Sequence, residues 1–392
     1  MWLSAGRLLG NDAIVPGAGT GDSTGGVTGS GVTDPNTSGP AHSNPITVSG
    51  AGSFSNAVSQ ASSGDTILVD GNFNIGSDFQ WQSGVDLVGD SATDAQLNYT
   101  GTSGAAILEM VNTQNVWIHG VTFDVSDSPS RIIGTPDGGV QASGITISNC
   151  TLNGGQNGIN WRGNNKDNNI ADISILGCTL NNNIRHGIFM GIDNINNNGF
   201  DYPTGQLDNV LIQENTVNDV HRWLAITLSG RPNCPARNSL IKNNDVRRVG
   251  VEPNVDKSQH GNAISLEDVC HDIVIEDNDA RNTKSRAYGV TGAGYDNIVR
   301  NNYGEDIGTH CIHPSGAFNH SGDPHSNLFE NNTFRDTQTR AGHCIRNQET
   351  LESGTQQGVV VEPNEFRNNE FTTYGSKIYN TNKGIFDGNV FN

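Results

Sequence analysis

QENTV (213–217), KNNDV (242–246), EDNDA (276–280), RNNYG (300–304), ENNTF (330–334), RNNEF (367–371) and DGNVF (387–391) share one frame, with asparagine at the third position. The asparagines are Asn215, Asn244, Asn278, Asn302, Asn332, Asn369 and Asn389. The frame begins earlier, in HGVTF (119–123), SNCTL (148–152) and LGCTL (176–180), with Val121, Cys150 and Cys178 in the asparagine position. Successive asparagines lie 20 to 37 residues apart, around a typical 29. A repeat of that length marks a solenoid. Asparagine enters the left-handed backbone region more readily than most residues other than glycine, so it suits a bend that returns once per coil. Stacked one coil apart, the side chains can bond to one another along the axis. The frame predicts an all-β solenoid stitched by an asparagine ladder.

The segments ahead of each frame support strands. Val116–Ile118, Ile145–Ile147, Ile173–Ile175, Val210–Ile212 and Ile273–Ile275 alternate apolar and polar residues, which turns one face inward. A second signature follows each frame, a small residue and then Ile or Val: Gly158-Ile159, Gly187-Ile188, Ala225-Ile226, Ala263-Ile264, Gly289-Val290, Cys311-Ile312 and Cys344-Ile345. Apolar residues make up 33% of the 392, enough for a narrow core to which each coil adds only a few side chains.

The formal charge of −19 argues against nucleic acid and anionic membranes as partners. It is built from 29 Asp, 12 Glu, 16 Arg and only 6 Lys. Such an acidic, lysine-poor composition resembles that of proteins from high-salt organisms; an ordinary acidic extracellular protein is the other reading. No apolar run reaches the ~20 residues needed to span a bilayer. The start, MWLSAGRLLGNDAIVPG, lacks the apolar stretch of a secretory signal, which leaves a removed signal or export by another route, such as assembly into a virion. Cys150/Cys178 and Cys311/Cys344 repeat on neighbouring coils, at a spacing that permits a disulfide. Small thiols filling inward corners are the favoured reading. No CxxC spacing suggests zinc.

Residues 1–45 combine a short apolar peptide (Trp2, Leu3, Leu8, Leu9, Ile14, Val15) with a Gly/Ser/Thr/Pro stretch. They read as an anchor on a flexible tether. Next, Phe54, Ala57, Val58 and Ala61 fall on one face of a helix expected over about 54–63, and Thr66–Val69 is expected to begin the first strand. This helix-then-GDTIL passage, followed by the repeat over residues 46–392, resembles the right-handed parallel β-helix of the pectin-lyase-like superfamily. That superfamily includes polysaccharide lyases, epimerases and viral tailspikes. The resemblance implies a right-handed β-helix of about ten or more coils with an N-terminal capping helix. The last coil, GIFDGNVFN, has no capping helix, which favours an oligomer, with a trimer as the default.

Aligned on the small-Ile signature, the residue after Ile is Asn160, Phe189, Thr227, Ser265, Thr291, His313, Arg346 and Tyr379. The residue two before it is Asn157, His186, Leu224, Asn262, Tyr288, His310, His343 and Ser376. Both sets are expected on one outward stripe over a shallow groove. His313, Arg346 and Tyr379 form the candidate catalytic set, since a lyase needs a cation to neutralise a uronate carboxylate and a base to remove the adjacent proton. His310, His343, Tyr288, Phe189 and His186 are candidate glycan contacts. His310 and His313, three apart in a strand, are expected on opposite faces as far as shared metal ligation goes, so no metal site is assigned. Glu267 and Asp268 could hold Ca²⁺ with loop carbonyls. The motifs of polygalacturonases and pectate lyases are absent, and Asp323-Pro324-His325 is too short to indicate an epimerase.

Three functions fit. The favoured one is a virion-surface or appendage protein, tailspike-, turret- or fibre-like, that binds a host polysaccharide or glycoprotein and joins other subunits through residues 1–45. A secreted polysaccharide lyase or C5-epimerase acting on uronate polymers is the alternative. A cell-surface adhesion solenoid is the third. Each places the protein on a virion surface or outside the cell.

Overall fold

The computed structural model describes residues 45–101, 106–125, 131–135, 140–163, 168–192, 205–231, 234–250, 261–316, 324–337, 343–347, 363–373, 376–380 and 384–392. The expected anchor and tether, up to residue 44, lie outside them, as does His320. The chain is a right-handed parallel β-helix. Among the described residues the strands sort into three parallel sheets of 13, 12 and 11 strands, visited in turn by each coil. We call them sheets I, II and III. Sheet I begins with Ile46–Val48 and Thr66–Val69, sheet II with Asn72–Ile75 and sheet III with Phe79–Gln80. A strand thus precedes the cap helix, ahead of the expected first strand. The helix itself spans Ala51–Gln60, three residues earlier than expected, and its Phe54 packs edge-on to Phe79 at 4.9 Å.

The core is a set of stacked columns. In sheet I the register aligns Ile118, Ile147, Ile175, Ile212, Ile241, Ile275, Val299, Phe329 and Phe366, all with no exposed surface. Burying each such side chain stabilises the fold by roughly 1.5–3 kcal/mol. At the C-terminal end the column becomes an aromatic stack, with Phe329, Phe366 and Phe386 at 5.0 and 4.7 Å.

The asparagine ladder runs along the corner between sheets I and II. Asn215 donates through both its backbone N–H and Nδ2 to Asn244 Oδ1, at 3.0 Å each, and through Nδ2 to the Ile175 carbonyl at 2.9 Å. The same pattern repeats at Asn244, Asn278, Asn302, Asn332 and Asn369, ending on Asn389. Cys178 joins it by donating its backbone N–H to Asn215 Oδ1 at 2.9 Å. The left-handed residue of this corner is not the ladder asparagine, as its chemistry suggested, but the one before it: Glu214, Asn243, Asp277, Asn301, Asn331 and Asn368 have φ between 51 and 57°. The preceding residue makes the bend; the ladder residue closes it. A second ladder enters sheet I, where Asn297 Nδ2 donates to Asn327 Oδ1 and Asn327 Nδ2 to Asn364 Oδ1, both at 2.9 Å. All six cysteines are free thiols buried in the solenoid.

Candidate functional site

The outward side chains of sheet III owe their direction to the small-Ile signature. In Ala263-Ile264, Cys311-Ile312 and Cys344-Ile345 both residues are fully buried in the core. Two consecutive inward residues break simple alternation, so the residues flanking the pair emerge on the same side. His310 and His313 accordingly stack ring on ring, with centroids 4.7 Å apart and planes at 21°. The opposite-faces expectation for this pair is therefore corrected. His343 extends the stack, 6.3 Å from His310.

Register corrects a second expectation. Ile264 pairs with Tyr288, and Tyr288 with Ile312, so on this coil the inward pair is Ala287-Tyr288 rather than Gly289-Val290. Tyr288 is fully buried, and its hydroxyl donates toward the carbonyls of Asn278 at 2.9 Å and Tyr303 at 2.8 Å. It cannot contact an external ligand. The outward positions of that coil belong to Arg286, which aligns with His310, and to Gly289, which aligns with His313. The repeat's own small-apolar motif, occurring twice in succession, hid Arg286.

The outward positions are sunk below the surface rather than spread over an open groove. Asn262, Ser265, His310 and His313 keep 2, 1, 5 and 2% of their exposure. Among the described residues, several of their polar atoms meet no hydrogen-bond partner: Asn262 Oδ1, Ser265 Oγ, both ring nitrogens of His313, Arg286 Nε and, one coil earlier, Thr227 Oγ1. A side chain at Gly289 would find its nearest atoms at Ser265 Oγ, 3.5 Å, and the His313 carbonyl, 3.9 Å. Glycine therefore leaves a methyl-sized notch between serine and histidine, rimmed by donors and acceptors that are unsatisfied among the described residues.

Charge gives the notch its chemistry. Burial, and then the Asp268 carboxylate, push the Glu267 carboxyl up to about 7, against the pull of Arg286 and Arg231. Burial lowers Arg286 to about 10, with Glu267 holding it up and Arg346 adding to the fall. His310 is depressed to about 3 by burial, and the cations Arg286 and Arg346 add to this against a bond to the His343 backbone. His313 is pushed well down by burial and by Arg286. The imidazoles are thus neutral at neutral pH, beside two guanidinium groups and a carboxyl balanced between its two forms. His310 Nδ1 lies 3.0 Å from the His343 carbonyl and its Nε2 3.3 Å from Arg346 Nη1. A neutral ring protonated at Nδ1 donates to that carbonyl and accepts from Arg346, whereas the His343 backbone N–H, also 3.0 Å from Nδ1, donates to the ring only in the other tautomer. Tyr379 follows Arg346 in backbone register, while its side chain lies outside the described structure.

The remaining two candidates lie three coils of sheet III before Gly289. His186 and Phe189 pack at 5.0 Å, both nearly buried, and His186 meets the edge of Trp223 at 5.3 Å. Trp223 is 37% exposed, with the Arg185 guanidinium 5.6 Å from its ring. It precedes the inward pair by two residues, outside the aligned positions, and only its size and exposure mark it. Asp268 is held by Arg231 at 2.6 Å, which places an organic cation where the sequence suggests Ca²⁺. Among the described residues no group of three potential metal ligands converges, and no helix is long and apolar enough to cross a membrane.

No protein-family model matches the chain, and no curated protein matches it either. Solved structures do. An exopolygalacturonase from Thermotoga maritima superposes with TM-score 0.57 at 11% identity, covering 86% of this chain and 88% of that one. A lacto-N-biosidase from Eubacterium ramulus gives 0.54 at 14%, over 86% and 64%. A tailspike protein of E. coli bacteriophage HK620 gives 0.50 at 13%, over 87% and 63%. The chain spans less than two thirds of the last two. These likenesses establish the pectin-lyase-like parallel β-helix fold.

Proposed function

We propose that this protein is a surface-displayed β-helix of the virion-appendage kind, binding a host polysaccharide or glycoprotein glycan across sheet III. The observation that carries this reading is the row of buried polar atoms around Gly289 that are unsatisfied among the described residues. Such groups cost about 1–3 kcal/mol each when unpaired, and a polyhydroxyl ligand supplies both donors and acceptors. Arg286 and Arg346 suit an acidic substituent on that glycan, and exposed Trp223 offers a face for sugar stacking. A tailspike is among the proteins that share the fold. In this reading residues 1–45 join other subunits, the chain works as a homo-oligomer with a trimer as default, and its acidic surface suits high salt. The test is a glycan array probed with the intact chain. Retention of acidic glycans, weakened at least tenfold in the combined His313→Ala, Arg346→Ala variant, is expected. Binding to no glycan, or unchanged binding by that variant, overturns the reading.

A second reading is favoured by Glu267. A carboxyl pushed to about 7 beside Arg286 is suited to giving or taking a proton near neutral pH. With neutral His313 as a base, Arg346 neutralising a uronate and Tyr379 next in register, the same notch would serve a polysaccharide lyase or epimerase. Unsaturated uronate appearing from a uronate polymer, and lost in Glu267→Gln and His313→Ala, supports it. No product from any polymer removes it.

A further inference from the structure

Sheet II carries a second array on its outer surface, on a different sheet from the Gly289 notch. Over its first six strands the outward residues form two columns in register. One holds Asn72, Gln96, Thr122, Thr151, Thr179 and Thr216, and the other Asn74, Asn98, Asp124, Asn153, Asn181 and Asn218. In a chain of net charge −19, Asp124 is the single ionisable group among them. Beyond Asn218 the same columns change character. They continue as Asp245 with Arg247 and Asp279 with Arg281, closed by ion pairs at 2.7 and 2.6 Å. The uncharged half is therefore not a requirement of building the sheet.

The uncharged columns are also ordered. Asn218 Nδ2 donates to Asn181 Oδ1 at 3.2 Å, and Asn181 Nδ2 to Asn153 Oδ1 at 3.0 Å. Each bond along the axis fixes an amide while leaving a second N–H and a lone pair free to face outward. The result is a lattice of donors and acceptors repeating at about 4.8 Å along the axis and about 6.6 Å across it. Along the edge toward sheet III lies a cavity of about 480 Å³, lined by Asp124, Asn153, Gly154, Asn182, Ile184 and His221. That size falls in the range of small-molecule sites. Asp124 and His221 there supply an acceptor and an imidazole.

We propose that this half of sheet II is a second binding face, for a neutral polysaccharide strand lying on the Thr/Asn lattice with one sugar in the adjoining cavity. The absence of paired charges favours an uncharged ligand, and the repeated amide and hydroxyl groups match the hydroxyls of successive sugars. The proposal is independent of the sheet III reading. Affinity electrophoresis of the intact chain through gels containing dextran, galactomannan or alginate tests it. Retardation by at least one neutral polymer is expected, at least fivefold weaker in Thr151→Val with Thr179→Val, which removes two hydroxyls while keeping β-branched shape. Asp124→Lys, an exposed change at the cavity mouth, should weaken it likewise and covers the case in which the double variant does not fold. The combined His313→Ala, Arg346→Ala variant should migrate like the parent on neutral polymers. No retardation by either neutral polymer, full retardation of both sheet II variants, or loss only in the sheet III variant overturns the proposal.

Discussion

Two sets of polar side chains are buried almost completely in this solenoid, and they are treated in opposite ways. At the corner between sheets I and II, Asn278 is 1% exposed and its amide nitrogen bonds to the Ile241 carbonyl, the Glu276 carbonyl and Asn302 Oδ1. On the outer side of sheet III, His313 is 2% exposed and neither ring nitrogen has a partner among the described residues. Burial is the same; satisfaction is not. Polar groups that serve architecture are generally paired within the chain, whereas unpaired ones mark places where stability is given up for something else. The contrast separates the residues that hold the coil from those available to a ligand.

The ladder should yield the largest effect. Asn278→Ala removes three bonds made by its Nδ2 and strips Asn244 of the acceptor for its own backbone N–H and Nδ2. Orphaned buried groups and lost bonds together predict a loss of about 3 kcal/mol, read as a lower urea midpoint at unchanged slope. A loss under about 1 kcal/mol would mean that the ladder is ornamental and the contrast with sheet III is empty.

The ladder has no titratable group, so the two regions should also differ in their response to pH. Glu267 has its folded-state value raised from 4.5 to about 7. Folding thus favours its protonated form, and the stability it contributes is present below pH 4.5 and lost as pH rises to about 7. Glu267→Gln keeps the neutral form at every pH. Its stability relative to the parent should therefore rise between pH 4.5 and pH 8 by on the order of 2 kcal/mol, taking about 1.4 kcal/mol per unit and allowing for partial solvation. Urea titrations of both proteins at the two pH values measure this. An equal difference at both would show that the carboxyl is no more desolvated than a surface one. His310, depressed to about 3, works the other way, favouring the fold above about 6.5 and losing that contribution as pH falls toward 3. The comparison must therefore be made against the parent at each pH.

Legibility from sequence followed the same division. The first ladder was readable because one residue type recurs in one local frame, with apolar strands leading into it. The second, through Asn297, Asn327 and Asn364, has shorter frames and was hidden by DNI, SNL and PNE sequences that also suit ordinary turns. Asparagine is common both at the left-handed position and at the ladder position that follows, so sequence alone does not separate the residue that bends from the one that bonds. The site was read less well. Counting from a small-apolar pair works only while each coil carries one such pair, and Ala287-Tyr288-Gly289-Val290 carries two. Counted from the second pair, Tyr288 falls at an outward position and Arg286 drops out of the alignment, whereas the register places them the other way. Burial of the stripe could not be read at all, because it depends on the depth at which neighbouring chain segments meet rather than on which face a residue takes.

Tyr288 offers a smaller test of that register. Removing its hydroxyl in Tyr288→Phe deletes bonds to the Asn278 and Tyr303 carbonyls while keeping the ring in the core. A loss of about 1 kcal/mol is expected, with glycan binding unchanged. Normal stability with weakened binding would restore the outward placement and displace Arg286 from the site.

His313→Phe carries the smallest change in stability, and its sign is the informative part. The ring keeps its approximate volume and its stacking on His310, so little packing is lost. Two nitrogens that meet no partner among the described residues disappear with it, which relieves a desolvation cost that the folded chain otherwise bears. The variant should be as stable as the parent or up to about 1 kcal/mol more stable, opposite in direction to Asn278→Ala despite equal burial. Binding should move the other way, because a phenyl ring offers a sugar hydroxyl neither donor nor acceptor. Equilibrium unfolding and glycan retention, measured on the same preparation, decide the matter. A variant that loses stability as Asn278→Ala does would place His313 among the residues that hold the coil, since only a structural hydrogen bond would make its nitrogens stabilising. Gain of stability joined to loss of retention would place it among those kept for a ligand.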